Sequence, residues 1–120
     1  MNQPAGIPTI DVQEAAARRA GPDKPIVVDV REPDEFATVR LEGAALLPMS
    51  TFSDRHAELP KDRPLLVMCH VGGRSAAATA FLIRSGWTNA INVAGGIDAW
   101  ERAGLPVRRG VVEPGEGELG

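Results

Sequence analysis

Two apolar runs dominate the pattern of hydrophobic and polar positions, IVVDV at 26–30 and LLVMC at 65–69. Each follows a proline, is rich in aliphatic residues and lacks the alternation of a half-exposed strand, so both predict central strands of a parallel sheet, buried on two faces. Thr9 with Ile10, residues 44–47 and residues 90–93 supply three shorter strand candidates.

Between these runs the pattern becomes helical. A first helix opens at Asp11, whose side chain caps it while Glu14 returns the bond as in a capping box, and stops before Gly21-Pro22. A second starts around Pro33 and carries Glu35, Phe36 and Val39; a third covers 50–58. The longest begins near Gly73, includes Ala76, Ala77, Ala80, Phe81 and Arg84, and meets a left-handed cap at Gly86. A last helix spans about 97–103 before Gly104 to Pro106 end it. Strands alternating with helices imply an α/β fold with a largely parallel sheet and right-handed crossovers.

At 120 residues the chain fits one compact domain, with 43% hydrophobic and 24% charged residues, a globular composition. The domain is expected over 1–107. The acidic, glycine-rich stretch at 108–120 is expected to be a flexible tail. A net charge of -3 and a pI near 5.3 give no global basic field, so neither nucleic acid nor an anionic membrane is an expected partner. The start MNQPAGIPTIDV carries no leader pattern, and no stretch approaches the ~20 apolar residues of a membrane span, which makes the cytoplasm the expected location.

The single cysteine excludes an internal disulfide and any multi-cysteine metal site. A lone cysteine is commonly a small buried hydrophobe. Cys69, however, ends a central strand, where ligands of open α/β sheets gather. The connector His70-Val71-Gly72-Gly73-Arg74 contains no proline, and its adjacent glycines let successive amides turn toward one point ahead of a helix. Such a nest stabilises a thiolate or a persulfide anion. Arg74 adds a permanent charge and a fork of donors suited to an oxyanion. His70 is either a contact at the entrance or an exposed polar residue, and His56, in DRHAEL, has no assigned role. Asp29 and Arg31 are read as structural, with Arg31 pairing with Glu35 four residues on. Trp87 and Trp100 are read as core residues.

CHVGGRS resembles the active-site loop of the rhodaneses, with cysteine first and arginine sixth. Upstream, VVDVREPDEF is similar to that family's DVR-x3-E-[FY] segment; downstream, GGIDAWERAGLPV is similar to its GG-x3-W and AGLPV signature. The similarity runs from about Thr9 to Val107. One departure is VRLEGA, where the family usually reads GHI-x-GA, so that Arg40 replaces a histidine. The resemblance implies a five-stranded parallel sheet flanked by helices on both faces. It also implies a sulfurtransferase that moves sulfane sulfur from a donor such as thiosulfate, through a persulfide on Cys69, to a thiol, cyanide or protein acceptor. Residues His70, Val71, Gly72, Gly73 and Arg74 would bind substrate, with no metal or organic cofactor. Two other readings compete: a non-catalytic regulatory module of the same fold, and a cysteine-dependent phosphatase or arsenate reductase. The related phosphatases have one more residue between cysteine and arginine than the four found here.

Overall fold

A computed structural model describes residues 6–119; residues 1–5 and 120, which the expected domain and tail include, lie outside the described residues. The strands are β1 (Thr9–Ile10), β2 (Ile26–Asp29), β3 (Ala45–Leu46), β4 (Leu65–Met68) and β5 (Ala90–Val93). They form one parallel sheet in the order β1-β5-β4-β2-β3, with β4 at its centre. Every residue of β4 is buried, as its unbroken apolar run requires. Successive side chains of a strand alternate between faces, and the core divides accordingly. Val28, Val30, Leu65, Val67 and Cys69 face one cluster with Phe52, Leu59, Ala78, Leu82 and Trp87. Val27, Leu66, Met68 and Val93 face the other with Val12, Ala15, Phe36, Ile97 and Trp100.

The first face is covered by α3 (Phe52–Arg55) and α4 (Gly73–Arg84), the second by α1 (Val12–Arg19), α2 (Pro33–Thr38) and α5 (Gly96–Arg102). Short 3-10 turns at Met49–Thr51 and His56–Glu58 flank α3, so the helix expected over 50–58 is broken into three pieces. Asp11 caps α1 by accepting the Glu14 amide at 2.8 Å. Glu14's carboxylate turns instead to Arg18 at 2.7 Å, a better electrostatic partner one turn along, rather than returning the bond expected at Asp11. Both tryptophans are buried, with their Nε1–H groups donating to the carbonyls of Leu59 and Pro106.

Residues 108–119, which composition assigns to a flexible tail, are laid against the domain. Arg108 and Arg40 exchange two backbone hydrogen bonds, and the Leu46 amide donates to the Gly117 carbonyl at 2.7 Å along the outer edge of β3. The reason is Arg40, which is fully buried. Its guanidinium donates to both carboxylate oxygens of Glu116, at 2.9 and 2.8 Å, and to the carbonyls of Gly110 and Val111. A buried cation must be paired and hydrogen-bonded, and this C-terminal strap supplies most of its partners. Gly117 is required at its place: its φ is +85°, and a Cβ there would lie 3.3 Å from both Leu46 and the Phe36 ring.

Candidate active site

The chain proceeds from β2 to one edge of the sheet and from β4 toward the other, so the carboxyl ends of these adjacent strands flank a topological switch point. Cys69 follows β4 there and is only 1% exposed. Its Sγ accepts hydrogen bonds from the Gly72 amide at 3.0 Å and the Ser75 amide at 3.4 Å, and lies 3.4 Å from Ser75 Oγ. Of the connector 70–74 expected to form the nest, the Gly72 amide reaches the sulfur, and the second donor, Ser75, lies one residue beyond it.

The two glycines do different work. Gly72 has φ +116°, and a Cβ on it would sit 3.3 Å from the Gly95 amide nitrogen. Gly73 has an ordinary φ and open space where a Cβ would be, because it is already the first residue of α4. Only Gly72 is demanded by the turn. Val71, at the tip, is 61% exposed, and His70 is exposed as well.

A second pair of glycines locks the loop from across the sheet. The first amides of α5 reach back: Ile97 N–H donates to the Cys69 carbonyl at 2.8 Å and Asp98 N–H to the His70 carbonyl at 3.0 Å. Gly96, at φ +57°, makes this approach possible, since a Cβ would stand 2.2 Å from the Cys69 oxygen.

Arg74 forms a two-point pair with Glu35, Nη1 to Oε1 at 2.7 Å and Nη2 to Oε2 at 2.9 Å. Hydrogen bonding to Arg74, aided by the Glu32 amide, outweighs partial burial and holds the Glu35 carboxyl at about 2, while the same pair raises the Arg74 guanidinium further. Glu35 was expected to meet Arg31. Arg31 instead turns onto Asp29, Nε to Oδ1 at 3.0 Å and Nη2 to Oδ2 at 2.8 Å, with Val39 and Glu35 carbonyls accepting its remaining donors. The helical spacing used for that expectation fails because Arg31 precedes the helix and projects beside Asp29, two residues back along an extended chain.

Three further residues complete the site; Ser75 stands within CHVGGRS and Gly96 within GGIDAW, while Asn92 lies outside both motifs. Ser75, fully buried, touches the sulfur with both its amide and its hydroxyl. Asn92, fully buried on β5, accepts the Ser75 hydroxyl at 2.7 Å. Gly96 holds the loop carbonyls. A polar residue inside the apolar run AINV is the one sign of Asn92 that the sequence offers. Among the described residues no group of His, Cys, Asp or Glu is arranged to hold a metal ion, and no helix is long and apolar enough to cross a membrane.

The sequence profile of the rhodanese-like domain matches residues 11–103. The chain belongs to the rhodanese-like domain family. A protein of Allochromatium vinosum named sulfurtransferase is 39% identical over 82% of this chain and 92% of its own length. The thiosulfate sulfurtransferase GlpE of Actinobacillus succinogenes is 34% identical over 68% of this chain and 74% of its own. Among solved structures, a rhodanese-related protein from Thermoplasma volcanium superposes with a TM-score of 0.78 at 32% identity, over 84% of this chain and 97% of that one. The rhodanese-like segment thus spans β1's exit through α5, and it contains the whole Cys69 loop with Glu35, Asn92 and Gly96.

Proposed function

We propose that the protein is a sulfurtransferase that carries sulfane sulfur as a persulfide on Cys69, with thiosulfate as a competent donor. The observation that carries this reading is the convergence of the Gly72 and Ser75 amides on Sγ at the carboxyl end of the central strand. Amide dipoles aimed at one sulfur favour its anionic form and that of the persulfide that replaces it. The names of the relatives support the reaction class.

In the first step the Cys69 thiolate attacks the outer sulfur of thiosulfate. A new S–S bond forms, the donor's S–S bond breaks, and sulfite leaves with the bonding pair. In the second, a nucleophile such as cyanide or a thiol attacks the terminal sulfur, and the pair of the broken bond returns to Cys69 as thiolate. Atoms and electrons balance with no redox partner. The chain has one cysteine, so the acceptor comes from outside it.

In this reading His70, Val71, Gly72 and Gly73 line the approach to the sulfur. Arg74 has five N–H donors, of which Glu35 takes two, and the others serve the sulfonate of the donor. A working free thiol suits a reducing compartment such as the cytoplasm.

Intact-mass measurement after incubation with thiosulfate tests the proposal: one added sulfur is expected, removed by cyanide with formation of thiocyanate. Cys69→Ser should acquire no sulfur and lose turnover, since a serine hydroxyl holds no persulfide. Turnover retained by the pure variant overturns the assignment.

A further inference from the structure

Beneath the sulfur lies a buried polar chain that the sulfur-transfer steps above do not use. Ser75 Oγ is 3.4 Å from Cys69 Sγ, 3.2 Å from the Gly72 carbonyl and 2.7 Å from Asn92 Oδ1. Asn92 is fully buried on β5, and its Nδ2 has no hydrogen-bond partner among the described residues. A buried amide nitrogen without an acceptor is destabilising, so its presence inside an apolar strand calls for a physical reason.

Ser75 has a single hydroxyl hydrogen. While Cys69 is a thiol, Sγ–H donates to Ser75 Oγ and the hydroxyl donates to Asn92 Oδ1, whose 2.7 Å is shorter than the 3.2 Å to the Gly72 carbonyl. Once the sulfur is anionic it requires donors, and the serine hydrogen serves it best by turning toward Sγ. That turn removes the donor from Asn92 Oδ1. A half-turn of the carboxamide about its terminal torsion then places Nδ2 where Oδ1 stood, and Nδ2 donates to the lone pair that the serine has freed. The orphaned nitrogen of the first state is thereby the working donor of the second.

We infer that Asn92 is a positioning residue for the transfer reaction: its carboxamide turns with the charge on sulfur and directs the Ser75 hydroxyl from Asn92 toward Cys69. The inference rests on Cys69 as the sulfur carrier, and an aspartate could not perform the role, because it accepts in both orientations and would hold the serine hydrogen permanently.

The test uses Ser75→Ala, Asn92→Asp and the double variant in the full chain. Its first readout is alkylation of the single cysteine by iodoacetamide at neutral pH. Alkylation needs no sulfur donor, so it reports on the network even if thiosulfate proves not to be a substrate. Ser75→Ala should slow alkylation about tenfold or more, the effect of losing a hydrogen bond to a charged acceptor. Asn92→Asp should slow it comparably when Ser75 is present and less than about threefold when Ser75 is alanine. Equal slowing in both backgrounds, or none with Ser75 present, overturns the inference.

Aspartate at a fully buried position risks the fold, so a second readout uses the wild-type side chain. In 15N-labelled protein, the Asn92 carboxamide resonances should move as the sulfur deprotonates, followed by thiolate absorbance, and should stay still over the same range in Ser75→Ala. Resonances that do not move in the wild type overturn the inference. A merely structural asparagine would give that result.

Discussion

Gly96→Ala isolates how far the cysteine loop depends on α5. An alanine Cβ would lie 2.2 Å from the Cys69 carbonyl oxygen, 2.6 Å from the His70 oxygen and 2.8 Å from the His70 carbonyl carbon, all backbone atoms that cannot rotate away. The φ of +57° adds about 1–2 kcal/mol for any residue with a Cβ. Relieving the overlap moves α5 and the loop apart and breaks the bonds from Ile97 and Asp98 to those carbonyls, each worth roughly 0.5–1.5 kcal/mol. Strain and lost bonds together amount to about 2–5 kcal/mol, which for a domain of this size lowers the melting temperature by about 10 °C or more. Thermal and urea unfolding measure that loss, and thiosulfate:cyanide transfer below the melting point should fall more steeply than stability, because the displaced carbonyls belong to the residues that aim the cradle. Gly73→Ala is the internal control for stability: it meets nothing within 4 Å at an ordinary φ and should leave the melting temperature near wild type. If Gly96→Ala matched Gly73→Ala in stability, and matched wild type in turnover, the contact between α5 and the loop would not be what fixes the site.

Arg74→Ala should reduce transfer from thiosulfate more than from an uncharged persulfide donor, and Arg74→Lys should recover part of the loss, since a point charge cannot span both oxygens of Glu35; steady-state kinetics with the two donors decides this. The Glu35 carboxyl sits at about 2 against an ordinary 4.5, so its pairing stabilises the folded state fully above the unfolded value and the contribution is lost as pH falls from about 4.5 through about 2. Glu35→Gln should accordingly flatten the dependence of unfolding free energy on pH in that window, and an unchanged slope would refute the pairing. Deletion of residues 108–120 should lower the melting temperature and promote association, because it strips Glu116 from the buried Arg40 and leaves the Leu46 amide on an open sheet edge. Calorimetry and light scattering at several concentrations would expose a tail that contributes nothing.

The strands were legible because their cause is local: IVV at 26–28 and LLVM at 65–68 are unbroken apolar runs, and the structure pairs them in register at the sheet's centre. The placement of Cys69 beyond β4 follows from the same pattern. What escaped was set by partners distant in sequence. Arg40 and Glu116 lie 76 positions apart and Glu35 and Arg74 lie 39 apart, so neither pairing leaves a trace in local spacing. The acidic tail has the composition of a disordered segment, yet the buried Arg40 guanidinium, the Leu46 amide and the packing of Val112 and Leu119 on the core hold it. Glycine at both 72 and 73 suggests a shared conformational demand, whereas the backbone needs a left-handed residue at Gly72 alone. Ser75 was given no role because its place beside the sulfur depends on Asn92, 17 positions further on, whose Oδ1 accepts its hydroxyl.

The restraints on the cysteine loop divide the task of stabilising negative charge in an instructive way. The carbonyls of Cys69 and His70 are engaged by α5, which satisfies the oxygens that would otherwise repel an anion and anchors the start of the loop whose Gly72 and Ser75 amides face the sulfur. Arg31 is committed to Asp29 and two backbone carbonyls, and Arg74 shares its charge with Glu35. Carboxylates therefore balance both guanidinium groups at this end of the sheet, and the site approaches an anion mainly with oriented dipoles. Dipoles fixed by folding need no reorganisation when charge arrives, whereas mobile cations on long side chains would have to be ordered at that moment. They also act at short range, which suits a charge confined to one sulfur atom. The salt dependence follows from this division: ionic strength screens exposed charges far more than buried hydrogen bonds. Added inert salt should consequently weaken thiosulfate binding through Arg74 while leaving the alkylation rate of Cys69 by neutral iodoacetamide nearly constant. A parallel fall in both would mean that free charge, rather than the amide cradle, governs the sulfur.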